Sequence, residues 1–479
     1  MYGKLCTVRI GFVRRKLHMF VYNKDISEEE LIDYAKQLEG KKMKDIGNPD
    51  EVKKWLSKSK NKGAIGNAIQ VCYFGIPANS IKEADFNYHN IELKVTPIKE
   101  NKNKTLSSKE RLVLNMINYE TDYVYSFEES PLMKKSQHML LIFYLHEENL
   151  PAEEYKILRA EMFTIPSEDL PTIREDYNTI IEKIKAGKAH QISESDTTYL
   201  AACTKGAGKG KDDRSQPFSK ITAKQRAFSF KQKYMTVYFN SIFNRKSFEK
   251  LQIPQQLSLS SFIDLQLSPF IDLSTSQIEQ KLNYKPIKDI SKDKAYLPRL
   301  VSKIFGIEST TLEEIEQFQK GNIKFKTIRL RQKKTENQDM SWPNIDFHEI
   351  FNTEFEDSTW YEWFAETKYL FVIFEDTEYG TILRKHILWN APPKMLEALE
   401  TLYNHIKWQL QNNVIEVEIK VNKKGQEVWT NNLPGKGFVP YFQIRPKGNK
   451  GSEFTTLPDG RKFKKQCLFL NKEYLHGLI

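Results

Sequence analysis

The feature that most constrains this 479-residue chain is that its sequence repeats itself once, in order. Residues 38–46, LEGKKMKDI, return as LNYKPIKDI at 282–290, and DFNYHNIELKVT at 85–96 returns as QFQKGNIKFKTI at 317–328. HMLLIF at 138–143 is matched by YLFVIF at 369–374, and YLAACTK at 199–205 by YFQIRPK at 441–447. SFKQKYM at 229–235 is matched by FLNKEYL at 469–475. Chance supplies one such match; five in one order argue for a duplicated domain. Length agrees, because 479 residues exceed what a single core usually holds. The expected organisation is a first domain over 1–245, a linker over 246–270 within a Ser/Leu/Pro-rich stretch, and a second domain over 271–479.

Local patterns mix helices and strands. Ser27 with Glu30 forms a capping box, and Leu31, Ile32, Tyr34, Ala35 and Leu38 follow at roughly helical spacing. Residues 50–59 are charged and Lys-rich, 64–74 read as a buried helix, and 91–98 as a strand. Residues 138–146 are a continuous apolar run suited to a central strand, and a helix is expected over 171–186. The class is therefore α/β or α+β. The segment over 1–22 is apolar but broken by Arg9, Arg14, Arg15 and Lys16, and reads as a strand or hairpin rather than a signal peptide.

Charge narrows the partners. The net charge is +11 and the pI about 9.0, which favours a polyanion. Cys6, Cys72, Cys203 and Cys467 are far apart, with no CxxC pair or Cys/His cluster, so a zinc site is not expected. They read as reduced thiols of a cytoplasmic protein. No run of about 18 apolar residues is present, so no membrane span is expected.

The chemistry concentrates in Asp85-Phe-Asn-Tyr-His-Asn-Ile-Glu92-Leu-Lys94-Val-Thr-Pro. On a strand Glu92 and Lys94 share one face, while Ile91, Leu93 and Val95 face the core. The Asn87–Asn90 segment can turn the chain so that Asp85 returns beside Glu92. Two carboxylates and a backbone carbonyl suit Mg²⁺, and an adjacent lysine can orient water or stabilise charge at a phosphate. An ExK pair on an exposed strand is more often a solvated ion pair, so the spacing alone only permits a nuclease.

The surrounding residues sharpen this. Lys62-Gly63-Ala64-Ile65-Gly66, Gly75, Asp85-Phe86, Ile91-Glu92-Leu93-Lys94-Val95-Thr96-Pro97-Ile98, Lys134-Lys135 and Tyr441–Lys447 together resemble the MutH family. The resemblance extends to its relatives, the GATC-specific type II restriction endonucleases. It covers about 25–240 and again about 272–479, and the two-copy length is that of the restriction branch. It implies two tandem restriction-endonuclease-like (PD-(D/E)xK) domains, each a mixed central sheet flanked by helices, acting on double-stranded DNA at GATC with Mg²⁺. By position, Asp85, Glu92 and the Leu93 carbonyl are the implied metal ligands. Lys94 is the implied catalytic lysine, with Lys135 as a further one, and Lys62 a DNA contact. Gln70 stands where MutH has a glutamate, which puts a second metal site there in doubt.

The second copy departs from this pattern. At the offset of 232, Asp85, Glu92 and Lys94 fall on Gln317, Lys324 and Lys326, so no metal site is expected there. Arg445-Pro446-Lys447 resembles the family's base-reading loop more closely than Cys203-Thr204-Lys205 does, and arginine can bond a guanine edge bidentately. Lys294 is the counterpart of Lys62. From Arg445 to Lys472 eight Lys/Arg face two Asp/Glu, and from Ala201 to Lys250 twelve face three, both suited to phosphate contacts. The run Lys205-Gly-Ala-Gly-Lys209-Gly-Lys211 lacks the P-loop spacing and reads as a DNA-contacting loop. Trp342, Trp360, Trp363 and Trp389 read as core. The expected protein is a restriction endonuclease with a cutting first domain and a binding second domain that dimerises on DNA and needs no protein partner. The alternatives are a non-cleaving two-site DNA binder and a MutH-type nicking enzyme.

Overall fold

The computed structural model describes residues 22–57, 63–78, 83–206, 212–286, 293, 295–308, 311–333, 338–421, 425, 427–447 and 453–478. The opening segment expected as a strand or hairpin lies outside these residues, as do Lys62, Lys209, Lys211 and Lys294. Two compact units emerge. One joins Met1–Asn103 to Gln137–Thr164, and the other joins Lys104–Ser136 to Ile165–Ile479. The spatial division thus runs through the first expected domain instead of falling at 246–270.

The strands that carry the architecture are, in chain order, β1 (Glu92–Glu100), β2 (Leu112–Met116), β3 (His138–Leu145), β4 (Ile157–Thr164), β5 (Leu200–Thr204) and β6 (Arg226–Phe230). They are followed by β7 (Ile323–Leu330), β8 (Met340–Asn344), β9 (Lys368–Thr377), β10 (Gly380–Trp389), β11 (Phe442–Pro446) and β12 (Gln466–Leu470).

In the smaller unit β1 runs parallel to β3, with Glu92 opposite Met139 and Lys94 opposite Leu141, and β4 joins β3 antiparallel. Met139 to Phe143 are fully buried, as a central strand requires. The helix Glu28–Lys36 starts at the expected capping box: the Ser27 side chain accepts from the Glu30 N–H, and the Glu30 carboxylate from the Ser27 N–H. The charged segment after Asn48 is also helical, Pro49–Leu56, with Asn48 as its cap and Val52 and Leu56 turned inward at i, i+4. Residues from Ala64 are helical as expected, but Ile69–Tyr73 winds as a π-helix. Leu31, Ala35, Val52, Leu56, Ala68 and Ile69 share a core with Ile91, Leu93, Leu140 and Ile142.

The larger unit contains two antiparallel three-stranded sheets, β2-β6-β5 and β8-β12-β11. It also holds β7-β9-β10, in which β7 is parallel to β9 and β10 antiparallel to it. One strand plan therefore occurs twice: β1-β3-β4 matches β7-β9-β10, and β2-β6-β5 matches β8-β12-β11. A backbone marker accompanies it. Asn90 (φ 53) before β1 and Asn322 (φ 50) before β7 are both left-handed, a conformation asparagine tolerates better than most residues. Register moves one alignment. Glu92 faces Met139 while Lys324 faces Tyr369, so 138–143 correspond to 368–373, one step from the 369–374 expected. Two runs of apolar residues align almost equally well one position apart, which is why the sequence match slipped.

The stretch expected as a linker is folded. Leu259–Leu267 is a helix capped by Ser258 that buries Leu259, Phe262, Ile263 and Leu267. The Leu259 N–H donates to Thr172 Oγ1 at 3.0 Å. The helix expected over 171–186 is Leu170–Lys185. Trp342, Trp360 and Trp389 are buried, and Trp363 packs against the same core, as expected. No helix among the described residues is long and apolar enough to cross a membrane.

Candidate active site

Alternation along β1 puts Ile91, Leu93 and Val95 against the core and leaves Glu92 and Lys94 together on the other face. Lys94 Nζ lies 2.9 Å from Glu92 Oε1. Their side chains are only 19% and 10% exposed, so this is not a solvated surface pair. A charge pair withdrawn from water on a strand face is costly to keep unless it serves a purpose.

A tight turn returns Asp85 to this strand. The Phe86 N–H donates to the Ile91 carbonyl at 2.9 Å and the Ile91 N–H to the Phe86 carbonyl at 3.2 Å, closing the turn through the left-handed Asn90. Phe86 is fully buried and anchors the turn. Asp85 Oδ2 accepts from the Leu93 N–H at 3.0 Å, which sets the carboxylate between Glu92 and Lys94 along the strand. Asp85 Oδ1 accepts from Gln70 Nε2 at 3.0 Å, and the same amide reaches the Pro77 carbonyl at 3.4 Å. Gln70 sits on the π-helical turn, a distortion that frequently marks functional positions. Its amide turns a donor, not a ligand oxygen, toward Asp85. The role of Gln70 is therefore to hold Asp85.

No group of three or more His, Cys, Asp or Glu side chains placed to hold a metal occurs among the described residues. The two carboxylates fit a smaller requirement. Mg²⁺ binds through one or two carboxylates and keeps several waters. Asp85 and Glu92 are the two carboxylates at this strand that could serve such an ion.

The remaining described candidates belong to the larger unit. Lys135 is in the last turn of the helix Pro131–Ser136, in the larger unit. Lys205 follows β5, where its N–H donates to the Gln225 carbonyl at 2.8 Å. Arg445 and Pro446 end β11 and Lys447 follows it, all exposed. The Arg445 guanidinium lies 4.0 Å over the Phe469 ring and 3.1 Å from Asp339 Oδ2. Lys447 Nζ donates to Ser341 Oγ at 2.7 Å.

One expectation needs correcting. Gln317, the sequence counterpart of Asp85, does not occupy its place. Its side chain clamps the Leu251 backbone, accepting from the N–H and donating to the carbonyl, each at 3.0 Å. The bond that Asp85 makes to β1 is made to β7 by Glu313: Glu313 Oε1 accepts from the N–H of Phe325, the counterpart of Leu93, at 2.9 Å. A carboxylate thus survives in the second copy, arriving from a different point in the chain. Only Glu92 has lost its carboxylate counterpart, to Lys324. The one sequence signal for Glu313 was an acidic residue shortly before the repeated strand.

The comparisons with known proteins follow this division. The MutH family, described as "DNA mismatch repair enzyme MutH", matches residues 74–176, which contain Asp85, Glu92, Lys94 and Lys135. The chain is similar to the type II restriction enzyme Sau3AI of Staphylococcus aureus, 29% identical over 457 residues, covering 90% of this chain and 91% of that protein. The chain is a site-specific endonuclease similar to MutH and to a type II restriction enzyme. The endonuclease is also similar to the DNA mismatch repair protein MutH of Actinobacillus pleuropneumoniae, 27% identical over 180 residues. That match covers 38% of this chain but 77% of the relative. MutH of Shewanella sp. gives 24% identity over 164 residues, 34% of this chain and 71% of that protein. A MutH protein thus accounts for less than half of this endonuclease, whereas the restriction relative accounts for nearly all of it. Its mixed α/β architecture is the restriction-endonuclease-like fold, and it is a site-specific endonuclease of a kind that generally works with a divalent metal.

Proposed function

We propose that this endonuclease cuts double-stranded DNA at GATC with Mg²⁺, using Asp85, Glu92 and Lys94 of a first domain over 1–245. A second domain over 271–479 binds a further GATC site without cutting and promotes cleavage by the first. The observation that carries the reading is the joining of all three side chains on one strand: Asp85 through the Leu93 N–H, Glu92 through Lys94.

In this reading Asp85, Glu92 and the Leu93 carbonyl hold the ion. When bound, Mg²⁺ supplies charge neutralisation at the phosphate and acidifies a water. Lys94 stays against Glu92 until substrate enters, then orients the attacking water or steadies the growing negative charge. Lys135 is a further active-site lysine. Gln70 fixes Asp85 so that the carboxylate need not reorganise on binding. Lys62, Lys205 and Lys209 contact phosphates in the first domain and Lys294 in the second, where Arg445 reads guanine beside Pro446 and Lys447. The GATC preference and the activating role of the second domain are supported by the likeness to MutH and to the two-copy restriction branch. One cutting set per chain implies that two chains pair on DNA or that the two strands are nicked in succession. The protein works in the cytoplasm and needs no protein partner to cut.

The test is incubation of plasmid with protein and Mg²⁺, with Glu92→Ala in parallel. Linear fragments ending at GATC are expected from the native protein alone. Nicked circles only would favour a MutH-type nicking enzyme, and undiminished cutting by Glu92→Ala would sink the assignment.

A further inference from the structure

The second copy has kept the scaffold of the active site and inverted its charge. Glu313 Oε1 takes the strand N–H that Asp85 takes in the first copy, and its Oε2 lies 3.4 Å from Lys324 Nζ. Lys324 stands where Glu92 stands, and half of its side chain is exposed. Lys326, the counterpart of Lys94, lies 5.5 Å over the Trp342 ring. Burial lowers the pKa of Lys326; Glu313 acts against this, and the nearby charges of Lys447 and Lys324 add to the lowering. Lys447 is tethered to Ser341, the neighbour of Trp342 on β8.

The arithmetic of charge differs between the copies. Asp85, Glu92 and Lys94 leave one negative charge, which calls for a cation. Glu313, Lys324 and Lys326 leave one positive charge, and Lys447 adds another. Ammonium groups crowded close enough to disfavour one another are stabilised by an anion that bridges them. Three N–H donors on each lysine match phosphate oxygens without a fixed geometry.

We propose that this counterpart of the active site is a metal-free phosphodiester site, in which the Lys324 and Lys326 ammoniums, with Lys447, hold a DNA phosphate directly. The Lys324 ammonium, tethered by Glu313, takes the place that a metal ion would have in the first copy. The inference rests on the reading that the second domain binds DNA.

The test uses the full chain in EDTA with a short GATC duplex, measuring stoichiometry by calorimetry and affinity against salt by fluorescence anisotropy. Two duplexes per chain are expected. The double variant Lys324→Ala/Lys326→Ala should weaken one of the two sites and flatten its log–log salt dependence by roughly 0.9 per lysine. Lys324→Arg/Lys326→Arg should restore the slope, which separates lost charge from misfolding. Lys324→Glu, placed in a Glu92→Ala background so that nothing is cut, should make that site's affinity rise on adding Mg²⁺. Two duplexes per chain with an unchanged salt slope in the alanine double variant would overturn the phosphate site and leave second-domain binding intact. One duplex per chain, with an affinity that Arg445→Ala does not alter, would overturn both.

Discussion

Strands β1 and β7 follow the same plan and differ in what they hold. Each starts after a left-handed asparagine, each lies parallel to a buried central strand, and each receives a carboxylate on a backbone N–H near its start. The carboxylate is Asp85 in one and Glu313 in the other. Its retention teaches that this bond belongs to the scaffold as well as to the chemistry, because an N–H at a strand entry that bonds outside the ladder needs an acceptor whether or not DNA is cut. Glu92 has no such backbone duty. It is the residue free to change, and its counterpart changed to Lys324. On the proposed reading, the distinction between cutter and binder rests chiefly on one strand position.

The largest effect should come from erasing that difference. Glu92→Lys copies the second site into the first, and plasmid cleavage should fall by at least about 10³-fold, about 4 kcal/mol at the transition state. DNA binding in EDTA should be retained or tightened; loss of both would mean that the two sites are not comparable. The shared scaffold gives the next effect. Phe86 and Phe318 are both fully buried before their strands. Phe86→Ala and Phe318→Ala should each cost about 3 kcal/mol or more in denaturant unfolding. A mild loss at one of them would break the structural equivalence.

How much of this was legible in the sequence depends on what kind of signal each feature leaves. The alternation around Glu92 and Lys94, the Ser27–Glu30 box and the apolar 138–146 run are local patterns, and local patterns translate into elements. Glu313 was hidden because it reaches Phe325 from 12 residues away, whereas Asp85 reaches Leu93 from 8, so an alignment by offset pointed at Gln317. The folded state of 246–270 was hidden because a Ser/Leu-rich stretch reads equally as linker or amphipathic helix until Thr172 is seen to bond it. Buried charges were missed as well. Asp169 holds Lys320 at 2.8 Å, and Asp176 accepts the N–H groups of Thr198, Tyr199 and Leu200, yet both lie in or beside a helix whose charged residues look solvated in sequence.

Three smaller effects sharpen the comparison. Gln70→Ala removes one of the bonds that hold Asp85, and cleavage should fall about 10- to 100-fold with a raised Mg²⁺ requirement, as for residues that orient metal ligands. A loss that added Mg²⁺ does not relieve would assign Gln70 to folding alone. Asn90→Ala and Asn322→Ala should each cost about 1 kcal/mol, while the glycine variants should be close to neutral, because both positions need the left-handed region. The smallest effect concerns pH. Burial lowers the pKa of Lys326, so its ammonium is lost at a lower pH than an ordinary lysine's. Only the charged form holds phosphate. Affinity of the second site should therefore begin to fall as pH rises while other lysines are still charged, and Lys326→Arg should abolish that early fall. An early fall that persists in the arginine variant would place the titrating group elsewhere.

The most direct measurement compares Glu92→Ala with Lys324→Ala in single-turnover cleavage of a preformed complex with GATC duplex in Mg²⁺. Glu92→Ala should lose at least about 10³-fold in rate, whereas Lys324→Ala, with duplex saturating both sites, should cut at the native rate. Equal losses in the two variants, or cutting retained by Glu92→Ala, would contradict that division of roles.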